Sequence, residues 1–149
     1  YERSSGMKIS TKGRYALRLM LDLANNYQYG YTPVKEISLR QDISDKYLEQ
    51  IISRLSKAGL VVSARGAQGG YKLAKEPADC TVGEILRILE GDLAPVACAA
   101  SLHPVSCPRG DNCVTTEVWR RIGNAINDVV DNITLADLQN WQNEKCCGR

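Results

Sequence analysis

"DKYLEQIISRLSKAGLVVSARGAQGGYKLAK" occupies residues 45–75. Its first half puts Leu48, Ile51, Ile52 and Leu55 at i, i+3, i+4, i+7, one apolar face of a helix. Gly59 stops that helix. "LVVSAR" and "YKLAK" then read as two short strands. Between them, "GAQGG" can take the positive φ angles that a tight turn needs. A helix running directly into a small hairpin is the second half of a winged helix-turn-helix module.

The residues before it supply the first half. In residues 10–26, Ala16, Leu19, Met20, Leu23 and Ala24 form an amphipathic helical stripe. Gly30 ends that region. Thr32 and Pro33 read as N-cap and first helical position of a second helix, "PVKEISLRQDI". Ser44 or Asp45 then caps the third.

Downstream, Pro77 punctuates the chain. Thr81 and Glu84 have capping-box spacing ahead of "ILRILEG". A stretch with no helical period follows, and then Val118, Ile122, Ala125 or Ile126, Val129 and Ile133 predict a long helix from about Thr115 to Asn132. Far from the first core, that helix needs a partner of its own, and the first helix and the same helix of a second copy of the chain are the natural ones. Thr134 and Asp137 open a last short helix, "LADLQNWQN".

The predicted fold is therefore mainly α with a small β-hairpin wing. A winged helix-turn-helix domain fills residues 7–76 and a connecting helix 77–97. A cysteine-rich loop fills 98–113, a dimerisation helix 114–133, and a short helix and tail 134–149. "YERSSG", residues 1–6, precedes Met7 and reads as an expression scar.

Charge is divided along the chain. Residues 7–76 carry twelve Lys and Arg against six Asp and Glu, whereas residues 77–149 carry six against ten. A basic first half points to a polyanionic partner. On the third helix Lys46, Glu49, Gln50, Ser53, Arg54 and Lys57 lie off the apolar stripe. Gln50 has the chemistry to pair with adenine, while Ser44, Lys46 and Tyr47 can bond phosphates and Arg54 adds a flanking cation. Glu49 repels phosphate unless it accepts from a cytosine amino group, so it is read as a selectivity element. Arg65, beside the Gly-rich turn, can enter a narrow minor groove. The expected partner is double-stranded DNA with a palindromic operator.

"CAASLHPVSCPRGDNC", residues 98–113, holds Cys98, Cys107, Cys113 and the chain's only histidine, His103. Thiolates on one loop suit an iron–sulfur cluster or zinc. No apolar run approaches the ~18 residues of a membrane span, no secretory signal is visible, and the chain reads as cytoplasmic, where six cysteines argue against a disulfide framework. No base stands beside a nucleophile in a recognisable arrangement, so an enzyme is not expected.

"MKISTKGRYALRLMLDLA", "YLEQIISRLSKAGLV", "RGAQGGYKLAK", "TVGEILRILEG" and "NITLADL" together closely resemble the Rrf-type winged-helix transcriptional regulators, most of all the iron–sulfur cluster regulator (IscR) subgroup. The resemblance covers nearly all of residues 7–140. It implies a homodimeric repressor-type regulator of iron–sulfur cluster biogenesis genes, with a [2Fe–2S] cluster on Cys98, Cys107 and Cys113. It also implies DNA contacts from Tyr47, Glu49, Gln50 and Arg65. Two departures stand out. Thr116 occupies the position of the subgroup's histidine ligand, and Arg14 that of a carboxylate ligand used by the nitric-oxide-sensing relatives. The fourth ligand is therefore open: His103 first, then Glu117, Asp111, Thr116, a tail cysteine or a group from the partner subunit. An alternative function is a cluster-free winged-helix repressor of sulfur or cysteine metabolism acting through a protein partner.

Overall fold

The computed structural model describes residues 9–100 and 107–148. Helix α1 (Thr11–Asn25) starts at Ser10, whose hydroxyl accepts from the Gly13 amide at 3.3 Å. Its apolar stripe is fully used: Ala16, Leu19, Met20 and Leu23 are buried. Helices α2 (Val34–Gln41) and α3 (Asp45–Lys57) follow, joined by Asp42 in the left-handed conformation at φ 53°. An aspartate tolerates that region better than most residues, and it makes the sharp helix-turn-helix corner possible. Ile37, Leu48, Ile51, Ile52 and Leu55 close the core of this module over α1.

Strands β1 (Val61–Ala64) and β2 (Gly70–Leu73) pair antiparallel, with Val61 opposite Leu73 and Ala64 opposite Gly70. A third segment joins the wing. Thr32 and Tyr71 exchange two backbone hydrogen bonds of 2.8 Å. This corrects the expected N-cap of α2. Thr32 is extended and buried in the bridge, so the helix starts at Val34 with Pro33 in the capping place. Gly70, at φ 147°, lies so close to the Thr32 carbonyl that a Cβ there would collide with backbone.

Helix α4 (Val82–Glu90) opens with the expected capping box: Glu84 N donates to the Thr81 hydroxyl, and Thr81 N to the Glu84 carboxylate. Helix α5 (Thr116–Asp131) has no fully buried residue. Ile126, Val130 and Ile133 pack on Val82, Leu86 and Leu93. Arg87 of α4 fastens α5 with bonds of 2.6 and 3.0 Å to Asp131 and 2.8 Å to Asn127. The other apolar residues of α5 face outward: Val118, Ile122 and Val129 are 50%, 38% and 58% exposed.

Helix α6 (Leu135–Cys147) returns to α1 through the fully buried Leu135. It runs a turn further than the sequence predicts. Cys146 and Cys147 close that helix and do not form a free tail, because Glu144 and Lys145 favour helix where no packing opposes it. Among the described residues no helix is long and apolar enough to cross a membrane.

Candidate nucleic-acid interface and cysteine loop

Two surfaces carry chemistry. The first is α3 with the wing. Ser44 caps α3, its hydroxyl accepting from the Tyr47 amide at 3.3 Å. Lys46, Glu49, Gln50, Ser53 and Lys57 are exposed, as the sequence predicts. Tyr47 is half-buried, its ring edge-on to Tyr15 at 5.6 Å, and the Arg18 guanidinium lies 5.4 Å from the Tyr15 ring centre. Ser44 and Tyr47 thus share a surface groove of about 360 Å³ with Thr11 and Tyr15, where α1 and α3 begin. Tyr15 and Thr11 were not singled out in the sequence, because nothing local marks them as neighbours of α3. Arg65 is exposed beside the wing turn, and among the described residues Arg65, Lys46 and Lys57 make no ion pair.

Arg54, expected among the DNA-facing cations, is exposed but already engaged. Its guanidinium donates to the carbonyls of Ile88 at 2.8 Å and Leu89 at 3.2 Å, in the last turn of α4. Helical geometry accounts for this. At about 100° per residue, Arg54 lies about 110° from the centre of the apolar stripe on the flank opposite Glu49, which is equally far from it, whereas Lys46, Gln50, Ser53 and Lys57 lie about 150–170° away. A long side chain on that flank reaches a neighbouring helix and not the open face.

The second surface is the loop between α4 and α5. Cys98 sits in a 3₁₀ turn, Ala97–Ala99, that packs against α5. Cys107 precedes a second 3₁₀ turn, Gly110–Asn112, and Cys113 follows it immediately before α5. All three are free; Cys98 and Cys107 are exposed and Cys113 is half-buried. The Cys113 sulfur lies 3.1 Å from the Thr115 hydroxyl. Hydrogen bonds from the Thr115 and Thr116 side chains, then the Thr116 amide, bring its thiol down to about 7. Thr116, at the position of the subgroup's histidine, therefore supports a sulfur.

Glu117, another possible ligand, is held by Arg120 and then Arg121, which keep its carboxyl down at about 2. Their guanidinium nitrogens lie 2.7–2.9 Å from it. His103 lies outside the described residues, and nothing is said of the Asp111 side chain. Among the described residues no three His, Cys, Asp or Glu side chains are gathered as a metal site.

Cys80 is separate. It is buried at the start of α4, and burial first, then Glu84, pushes its thiol up to about 11. Iodoacetamide at pH 8 should label Cys98, Cys107, Cys146 and Cys147 of native cluster-free protein and reach Cys80 only after unfolding in urea. Mass spectrometry of the labelled peptides checks this.

The family described as "Rrf2: Iron-dependent Transcriptional regulator" matches residues 9–140. The chain belongs to the Rrf2 family. It is similar to two named members to nearly the same degree. It is 44% identical to the HTH-type transcriptional regulator CymR of Bacillus subtilis (strain 168) over 135 residues, 91% of each protein. It is 42% identical to the HTH-type transcriptional regulator IscR of Serratia proteamaculans (strain 568), over 91% of this chain and 81% of that protein. Solved structures give the same balance. T. potens IscR superposes with a TM-score of 0.76 at 44% identity, covering 94% of this chain and 91% of the other. CymR, the global cysteine regulator of B. subtilis, gives 0.76 at 43%, covering 90% and 97%. This Rrf2 protein is thus a winged-helix, DNA-binding transcriptional regulator and not an enzyme.

Proposed function

We propose that this Rrf2 regulator acts in the cytoplasm as a homodimer on a palindromic operator, and that a [2Fe–2S] cluster on Cys98, Cys107 and Cys113 governs its choice of DNA. Its targets would include genes for iron–sulfur cluster biogenesis. The observation that carries this reading is the cysteine trio. Three free sulfur donors lie on the one loop that joins the DNA-reading module to α5, and one is already acidified by its threonine neighbours. Such a donor set suits iron–sulfur chemistry. When bound, the cluster supplies a labile cross-link whose presence reports iron and sulfide supply. The chain's own residues do the rest: Thr115 and Thr116 favour the thiolate of Cys113, and α4 and α5 anchor the two ends of the loop. His103 is proposed as the fourth ligand; an unchanged spectrum and loss rate in His103→Ala would remove it.

On DNA, Ser44, Lys46 and Tyr47 are assigned to phosphates, Gln50 to a base edge, Glu49 to selectivity and Arg65 to the minor groove. These roles separate by measurement. Lys46→Ala should weaken binding to all duplexes alike and lower the salt slope by about one. Gln50→Ala should cost about 1–3 kcal/mol on the operator and relax preference at one base pair. Competition binding at several salt concentrations reads both.

A second reading is the cluster-free repressor of cysteine or sulfur metabolism. It is favoured by the near-equal identity to CymR and by Thr116 in the histidine position. Anaerobic purification decides between them. The cluster reading predicts brown protein with iron and acid-labile sulfide in equal amounts, about two of each per chain, lost in Cys98→Ala, Cys107→Ala and Cys113→Ala. Colourless, iron-free protein that still binds its operator would favour the CymR-like role.

A further inference from the structure

Helix α4 touches every part that a signal from the cysteine loop would have to reach. Its last residue, Glu90, runs through Gly91 into the loop. Its side chain accepts from both the amide and the hydroxyl of Ser10, the N-cap of α1, at 2.9 and 2.5 Å. Arg87 holds the last turns of α5 through Asn127 and Asp131, at the end away from the loop. Helix α3 packs on α4 through the shared core, and Arg54 adds a directional polar tie, gripping two successive carbonyls of the last turn of α4.

We propose that Arg54 is the positioning residue that couples the state of the cysteine loop to the pose of the recognition helix. The carbonyls of Ile88 and Leu89 are end groups of a helix, without full intrahelical partners, and their direction follows how the chain leaves at Gly91. A planar guanidinium that bonds both at once is sensitive to that direction in a way that one ammonium is not. Residues from Gly91 to Cys98 form a short lever, with Leu93 buried against Val82 and Leu86 and the Cys98 turn packed on α5. Drawing Cys98 toward Cys107 and Cys113 would pull on that lever. Arg54 would pass the displacement to the far end of α3, whose other face is Lys46, Glu49 and Gln50. The proposal rests on the reading of the loop as the regulated element.

The test uses the intact protein, cluster-loaded and cluster-free, with Arg54→Lys and Arg54→Met. Operator affinity is measured for each state at several salt concentrations. The wild type is expected to show a ratio between its two states on the order of 10. Arg54→Lys keeps a cation but loses the fork, so the ratio should fall toward one with iron content and salt slope unchanged. Arg54→Met should behave alike. The proposal is overturned if Arg54→Lys keeps the wild-type ratio. It is also overturned if Arg54→Met weakens both states equally and lowers the salt slope by about one, the mark of a phosphate contact. A wild type with no cluster, or with equal affinities, overturns the cluster reading instead. The tie itself is then read by hydrogen exchange in the cluster-free protein. Arg54→Lys should speed exchange at Gly91–Ala94 and in the last two turns of α3 together, and unchanged exchange at Gly91–Ala94 sinks the coupling.

Discussion

Val118→Asp combined with Ile122→Asp is expected to leave a folded monomer whose affinity for a two-half-site duplex is lower on the order of 100-fold. Helix α5 has two apolar stripes. One, Ile126 and Val130, continued by Ile133 just past the helix, packs on Val82, Leu86 and Leu93. The other, with Val118, Ile122 and Val129, joins neither core cluster among the described residues and remains about half exposed. A second copy of α5 is the natural cover, because the same stripe on both chains is self-complementary about a two-fold axis. Four carboxylates placed in such an interface cannot all be solvated or paired. Losing the dimer turns the second half-site contact from an intramolecular event into an independent one, which removes an avidity commonly worth 10²–10⁴. The substitutions lie outside the packed face, so the monomer should keep its unfolding midpoint. Sedimentation and operator binding measured together check both halves. An unchanged dimer would mean that another surface pairs the chains.

Arg40→Met should destabilise the protein by about 3 kcal/mol. Asp22 on α1 is only 4% exposed, and Arg40 of α2 meets it with a two-pronged contact at 2.8 and 2.9 Å. Removing the guanidinium leaves a buried carboxylate with neutral amides alone: Gln41 at 3.0 Å and Asn26 at 3.5 Å. Breaking a buried pair costs about 3–5 kcal/mol, and the low end applies because Arg40 itself is partly in water. Adding Asp22→Asn to Arg40→Met should recover a large part of the loss, since the stranded charge is then gone. Urea unfolding of the two variants checks the order. If the double variant is no more stable than the single, the cost lies in lost packing of the arginine stem and not in the stranded charge.

The parts of this fold that were legible in the sequence are those encoded within one or two turns. Both capping boxes, at Thr81 and Glu84 and at Thr134 and Asp137, sit where their spacing put them. So do the buried stripe of α3 and the glycine-rich turn of the wing. Misreadings arose where the deciding partner is distant. Thr32 looks like a cap until Tyr71 claims its backbone. Arg54 reads as a free surface cation until carbonyls 34 and 35 residues away engage its side chain. The cysteine loop is a different case. Residue types disclose its chemistry, but without periodicity the sequence carries no rule for its geometry. The acidifying role of Thr115 and Thr116 emerges only once the start of α5 is built.

On the proposed reading, the state of the cysteine loop sets how α3 and the wing meet DNA. The most direct measurement takes one anaerobic preparation and compares affinity before and after removal of iron by a chelator. Two palindromic duplexes that differ only at a base pair facing Glu49 are used at one fixed salt concentration. The preference between the duplexes should change on the order of 10-fold, and Glu49→Ala should erase the change. Iron-loaded and iron-free protein binding both duplexes with the same affinities would contradict this reading.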